Sequence, residues 1–220
     1  MYRPRGGQLN QNLSELESQL VSRFKDKSLP YHDRDLSDTL RTLFFMQHYG
    51  VPTRLLDWSE SPFVSLFFAT NAIPNVTKNG KLTYDNEAVV WALDPTKWNQ
   101  NALKHTTYEG GPLDPDHPSI APYREIGNVP GLPEKPLAMY GAHNSQRIVA
   151  QRGTFVIFGS NVQPMNKLDL GKSCLTRIVL KKSVIAKLRD FLFDNGYTEG
   201  SLFPDLEGLG KELRRTFGFS

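Results

Sequence analysis

Twelve consecutive residues concentrate the chain's reactive groups: Gln47-His48-Tyr49-Gly50-Val51-Pro52-Thr53-Arg54-Leu55-Leu56-Asp57-Trp58. An amide, an imidazole, a phenol, a guanidinium, a carboxylate and an indole crowd a tight turn between two apolar stretches. Polar groups held there must bond each other, the backbone, water or a ligand, because burial without partners is costly. Arg54 and Asp57 are three apart, so on one helical turn they pair directly. Alternatively, Arg54 presents its planar fork to a phosphate while Asp57 orients it. Asp57 lies between Leu56 and Trp58, so its carboxylate is expected to turn inward and to need several donors to stay ionised. His48 falls in the last turn of a helix, where exposed carbonyls favour a donor. A plainer reading has His48 capping those carbonyls, Arg54 and Asp57 as a buried structural pair, and Trp58 as core. Both readings stand at this point.

The elements that must position this turn can be read from periodicity. Asn12 and Glu15 form a capping-box pattern, and Leu13, Leu16, Leu20, Val21 and Phe24 recur at helical spacing up to a stop at Lys25–Pro30. A second helix is expected from about Ser37 to Tyr49, with Gly50 as its left-handed terminator and Pro52 preventing continuation. Val51 to Glu60 reads as a short connection. Ser61 then caps a helix with Pro62 at its first position, and Phe63–Ala69 is apolar almost all round, which predicts a central, buried helix. Ile73 to Asp85, with Pro74, Asn79 and Gly80, reads as a loop.

Ala88–Leu93 reads as a buried strand, and Asp94-Pro95 opens a short helix through Trp98. Further strands are expected at Pro136–Tyr140, Thr154–Phe158 and Leu175–Leu180. A helix capped by Ser183 runs to Leu192 and stops at Asn195-Gly196; a last helix follows Pro204. Helices early and strands late argue for an α+β fold, one domain over residues 1–220 with helices on a mixed, mostly antiparallel sheet. The Pro- and Gly-rich stretch 107–136 has few periodic apolar residues and is expected to be a long loop covering a cleft.

Composition excludes several classes. Of the 220 residues 39% are hydrophobic, and with the 17 glycines that falls in the ordinary globular range. No apolar run approaches a membrane span, and no apolar stretch follows the first five residues as in a secretory leader. A single cysteine, Cys174, makes neither an internal disulfide nor a cysteine metal cluster, which fits a reducing cytoplasmic compartment. The net charge of +3 is too small to argue nucleic-acid binding alone. Asp114-Pro115-Asp116-His117 offers metal-ligand types but reads as a solvated turn, so no metal is expected. Lys181-Lys182 and Arg214-Arg215 read as solvated charges. Tyr108, Tyr123 and Tyr140, with Arg124 and His143, could line a base pocket.

The block Gln47–Trp58, followed by Ser61-Pro62 and Phe67-Phe68-Ala69, resembles the signature of the FRG domain family. Arg147…Gln151-Arg152-Gly153-Thr154-Phe155 and Ser201-Leu202-Phe203-Pro204-Asp205-Leu206-Glu207-Gly208-Leu209 resemble two further motifs of that family, so the likeness spans residues 12–213. It implies a bacterial or phage protein in a toxin or antiphage-defence setting, and an ADP-ribosyltransferase-like fold that uses NAD. The implied catalytic residues are His48, Arg54, Asp57 and Gln151. Gln47, Tyr49, Thr53, Trp58 and Arg147 would contact the nucleotide. Arg54 would hold the pyrophosphate, His48 a ribose hydroxyl or the nicotinamide amide, and Gln151 the distal ribose or the acceptor.

Gln151 stands where such a transferase would place a late-strand glutamate. An amide cannot stabilise a ribosyl cation as a carboxylate does, so Asp57, Asp205 or Glu207 would have to supply the anion. The partners implied are NAD or a related nucleotide and a macromolecular acceptor, with no membrane. A non-catalytic module sensing a nucleotide or nucleic acid is the competing reading. His48, Arg54, Arg147 and Gln151 are expected to converge on one cleft.

Overall fold

The computed structural model describes residues 13–72, 75–78, 81–104, 108–127, 131–141 and 145–219. The fold is α+β, with three small sheets among the described residues in place of the single sheet expected. Helix α1 (Leu13–Ser28) runs past Lys25 and hands over to a 3-10 turn at Leu29–Tyr31; the proposed Asn12 cap lies outside the described residues. Helix α2 (Thr39–His48) begins at Asp38, whose carboxylate accepts the Arg41 amide at 2.7 Å. Gly50 ends it at φ +74°, the left-handed conformation that favours glycine.

Leu55–Ser59 is a strand, β1, not an irregular connection. Two adjacent leucines obscure the alternation that would have revealed it. Helix α3 (Pro62–Asn71) starts as expected: Ser61 accepts the Val64 amide and Pro62 occupies the first turn. It is not buried all round. Val64, Phe67 and Thr70 are buried, while Phe63 and Phe68 stay more than a third exposed. Strands β2 (Asn75–Lys78) and β3 (Lys81–Tyr84) form an antiparallel hairpin, with Lys78 opposite Lys81, where a loop was expected. Ile73, Pro74, Asn79 and Gly80 lie outside the described residues.

Strand β4 (Ala88–Leu93) is only partly buried, and α4 (Pro95–Leu103) extends beyond Trp98. Strand β5 (Leu137–Tyr140) follows. Arg147 lies in a short helix, α5 (Gln146–Ala150), capped by Ser145. Strand β6 (Gly153–Ile157) sits between β1 and β5 in the three-stranded sheet. A one-turn helix, α6 (Gly171–Cys174), leads into β7 (Leu175–Leu180), antiparallel to β4 with Ala88 opposite Leu180. Helix α7 (Lys182–Asp194) starts one residue before Ser183, so Lys181 holds the cap position and makes no side-chain cap bond; Gly196 stops it at φ +81°. Helix α8 (Glu199–Leu202), unforeseen, has a reciprocal capping box between Thr198 and Ser201. Helix α9 (Leu206–Thr216) is capped by Asp205.

The chain forms two compact units, each made of three separate stretches. The first holds Met1–Asp57, Pro95–Ala142 and Phe155–Gly171. Its buried side chains include Leu43 and Met46 of α2, Leu55, Trp98, Met139 and Ile157. Asn99 treats β5 as a strand would: its side chain donates to the Ala138 carbonyl and accepts the Ala138 amide, both at 2.9 Å. The 107–136 stretch is no mere cover. Leu113 bridges to Met139, and Leu113, Ile120 and Tyr123 are core residues of this unit; a 3-10 helix over Pro118–Arg124 organises them. Sequence periodicity missed them because no regular element spaces them.

The second unit holds Trp58–Asp94, His143–Thr154 and Lys172–Ser220. One core cluster joins Val64 and Phe67 of α3 to Leu192 and Leu202; another joins Tyr84, Ala88 and Ile185.

Candidate functional site

Within the first unit, Gln47 organises the motif turn. From the last turn of α2 its Nε2 donates to the Leu55 carbonyl at 3.3 Å and to Asp57 Oδ2 at 3.0 Å. Its Oε1 accepts from the buried Thr53 hydroxyl, which in turn accepts the Leu55 amide at 3.1 Å. One amide side chain thus satisfies the polar groups where the turn enters β1. Asp57 is solvent-exposed, contrary to the inward orientation expected. Alternation along β1 puts Asp57 on the face of the wholly buried Leu55 and opposite Leu56, so the strand itself does not turn the carboxylate outward; it lies in solvent, where Gln47 Nε2 donates to it.

Arg54 does not pair with Asp57. A strand places residues three apart on opposite faces, so the helical geometry behind that pairing is missing. Arg54 instead grips Glu17 of α1 bidentately, through Nε at 2.8 Å and through Nη2, and Nη2 also donates to the Glu125 carbonyl at 3.3 Å. Glu17 is 2% and Arg54 8% exposed. Arg54 Nη1 is buried without a partner. Sequence reasoning missed Glu17 altogether. The signal was there: Glu17 is four residues from Leu13 and Val21 and three from Leu20, inside the apolar stripe of its helix. A carboxylate at such a position needs a cation.

His48 is half-buried, its ring edge-on to Tyr49 at 4.8 Å, and Tyr49 also meets Phe45 edge-on at 5.1 Å. The Tyr49 ring is largely exposed. Two of the three tyrosines proposed for a base pocket are committed elsewhere, while Tyr140 is 38% exposed. Tyr123 donates to the Lys135 carbonyl and burial raises its phenol well above the ordinary value. Tyr108 donates to the Gly111 carbonyl at 2.9 Å, and desolvation raises its phenol too. Arg124 bridges Asp38 and Asp116. His117 caps the 3-10 helix by accepting the Ser119 amide, and no metal-binding cluster occurs among the described residues. His143 lies outside them.

In the second unit the remaining motif residues serve α5 and α8. Gln151 caps α5; its Nε2 donates to the Leu202 carbonyl at 2.9 Å and its own carbonyl accepts from Ser59 Oγ at 2.7 Å. Arg147 stacks over the Phe203 ring at 4.7 Å, half-buried. Trp58 is partly buried and its Nε1 has no partner. Asp205 accepts the Gly208 amide at 2.7 Å, and Glu207 pairs with Lys211. Thus His48, Arg54 and Asp57 belong to the first unit, and Arg147 and Gln151 to the second.

The family model of the FRG domain matches residues 3–78, the stretch that carries the Gln47–Trp58 block. The resemblance read from the motifs therefore holds over that part of the chain, with residues 3–57 in the first unit and 58–78 in the second. No curated protein and no solved structure matches the chain. No helix among the described residues is long and apolar enough to cross a membrane.

Proposed function

We propose that the Gln47–Asp57 turn of the first unit binds NAD or a related nucleotide for ADP-ribosyl transfer to a macromolecule, in the defence or toxin setting that the family resemblance implies. The observation that carries this reading is the presentation of Asp57: an exposed carboxylate held by Gln47 Nε2 at 3.0 Å, on a turn where Gln47 also satisfies the Thr53 hydroxyl and the Leu55 carbonyl. Fixing an exposed charge costs side-chain freedom and contributes little stability. It suits a group that must meet ligand in one orientation. Asp205 and Glu207, the other candidate anions, are engaged in a helix cap and a surface ion pair.

In the reaction, an acceptor nucleophile bonds C1′ of the nicotinamide ribose. The C1′–N bond breaks, its electron pair leaves with neutral nicotinamide, and the acceptor loses a proton. Asp57 would stabilise the cationic ribose in the transition state. Arg54 Nη1 is the one nitrogen of its fork left for a phosphate oxygen, since Glu17 and the Glu125 carbonyl take the other two. His48 and Tyr49 would meet the ribose or nicotinamide.

The test is NAD titration by calorimetry together with nicotinamide release. Asp57→Asn is expected to melt like the parent, still bind NAD, and lose nicotinamide release. A parent that neither binds NAD nor releases nicotinamide overturns the proposal. A second reading, a non-catalytic nucleotide sensor, is favoured by one observation: Arg54 and Gln151 are both committed to protein partners. It predicts NAD binding with no nicotinamide released.

A further inference from the structure

Helix α9 is packed the wrong way round for a globular helix. The face turned inward is polar: Gly208 is buried, Glu212 accepts from Thr198 Oγ1 at 2.5 Å and from the Gly200 amide at 2.8 Å, and Arg215 pairs with Glu199 while lying 3.8 Å over the Phe193 ring. The opposite face is apolar and open. Leu206, Leu209 and Leu213, with the capping Phe217, are three, four and four residues apart and form one stripe, 86% and 71% exposed at its ends (Leu206, Phe217) and 48% at Leu209 and Leu213. A stripe at that spacing is what a helix normally buries.

The helix glycines point the same way. Gly208 has an internal reason, since a Cβ there would strike the Phe203 carbonyl. Gly210 has none: a Cβ would meet nothing within 4 Å. Glycine weakens a helix, and here it borders the apolar stripe, four residues from Leu206 and three from Leu213. A small residue at that place lets a second helix come close.

We propose that this face is a two-fold interface with a second copy of the same chain, two α9 helices packing antiparallel with Gly210 at the crossing. The charges favour a copy over a lipid surface. Glu207 and Arg214 lie seven residues apart on one flank of the stripe, acidic near the start of the helix and basic near its end. Antiparallel pairing sets Glu207 of each copy beside Arg214 of the other, as a two-fold interface requires. A membrane-binding helix would carry basic residues there instead. Glu207 already meets Lys211 at 2.6 Å, an exposed pair that can be shared. At about 1.5 Å per residue the helix spans roughly 16 Å. That is a small contact compared with about 800 Å² per partner in a standard interface, so the dimer should dissociate on dilution.

Sedimentation equilibrium of the full chain over a range of concentrations tests this. The parent is expected to shift from monomer to twice that mass as concentration rises. Gly210→Gln should remain monomeric while melting at or above the parent temperature, because nothing inside the chain opposes the side chain. Glu207→Arg and Arg214→Glu should each weaken association, and the double exchange should restore it. A parent that stays monomeric up to its solubility limit overturns the proposal, whether the stripe is then covered within the chain or binds anionic vesicles. So does a Gly210→Gln variant that dimerises like the parent.

Discussion

Two arginines, one in the Gln47–Trp58 block and one before β6, meet opposite environments. Arg54, in the first unit, is locked by a buried carboxylate, with both Nε and Nη2 on Glu17. Arg147, in the second, lies half-buried over an aromatic face, its guanidinium 4.7 Å from the Phe203 ring centre. Removing a charge from the first environment strands its partner in a medium that cannot solvate it. Removing it from the second forfeits a modest attraction and leaves a ring that water tolerates. A motif arginine is therefore not one kind of residue. The carboxylate on a distant helix decides whether it serves the scaffold or stays available to something outside.

The largest effect expected from that contrast is in the first unit. Glu17→Ala or Arg54→Ala should each cost about 3–5 kcal/mol of stability, because each leaves an uncompensated buried charge. Glu17→Leu combined with Arg54→Met should recover most of it. Urea denaturation of the three variants decides the matter, and an Arg54→Ala protein as stable as the parent would show that the pair does not hold the fold. Arg147→Ala should be far milder, about 0.5–1 kcal/mol, with the fold intact. A loss matching that of Arg54→Ala in the same denaturation experiment would erase the distinction between the two arginines.

The smallest effect is titration of Glu212 in the second unit. The Thr198 hydroxyl, and then the Gly200 amide and the Arg215 charge, hold its carboxyl below the ordinary value of 4.5 against opposing desolvation. A depressed carboxyl contributes stability above its unfolded pKa and loses it as pH falls through the folded one. Melting temperature should therefore fall more steeply below pH 4.5 in the parent than in Glu212→Gln. Parallel curves would remove Glu212 from the acid response.

Local chemistry was the most legible part of the chain. Ser61 with Pro62, the left-handed Gly50 and Gly196, and the strand Leu175–Leu180 follow from side-chain hydrogen bonding, backbone sterics and β-branching within a few residues. Tertiary pairing was not legible. Glu17 and Arg54 are 37 residues apart, and nothing local tells a carboxylate in an apolar stripe which cation it will meet. The loop expected over Ile73–Asp85 became a hairpin because β-branched and apolar residues on both sides of Asn79-Gly80 outweigh the polar average of the segment. In α9 the pattern was clear but its direction was not, since polar bonds to Thr198, Gly200 and Glu199 claim the face that periodicity would leave to solvent. At the motif turn the residue types singled out the right stretch. Asp57 stays exposed although it shares a strand face with buried Leu55, and its bond from Gln47 Nε2 is a tertiary contact that the local pattern does not show.

The interleaving of the two units bears on how the chain is made. Five times, at residues 57, 94, 142, 154 and 171, the polypeptide leaves one unit for the other. During synthesis the first unit cannot close until residue 171 has emerged, because its last stretch, Phe155–Gly171, includes the core residues Val156 and Ile157. By then half of the second unit's sequence already hangs from it, unfinished. Contacts so far apart in sequence slow folding through the entropy of closing long loops. Cutting the gene at any boundary before residue 171 therefore yields no complete unit, and the nascent chain must carry its uncovered apolar segments until nearly four-fifths of it has been translated.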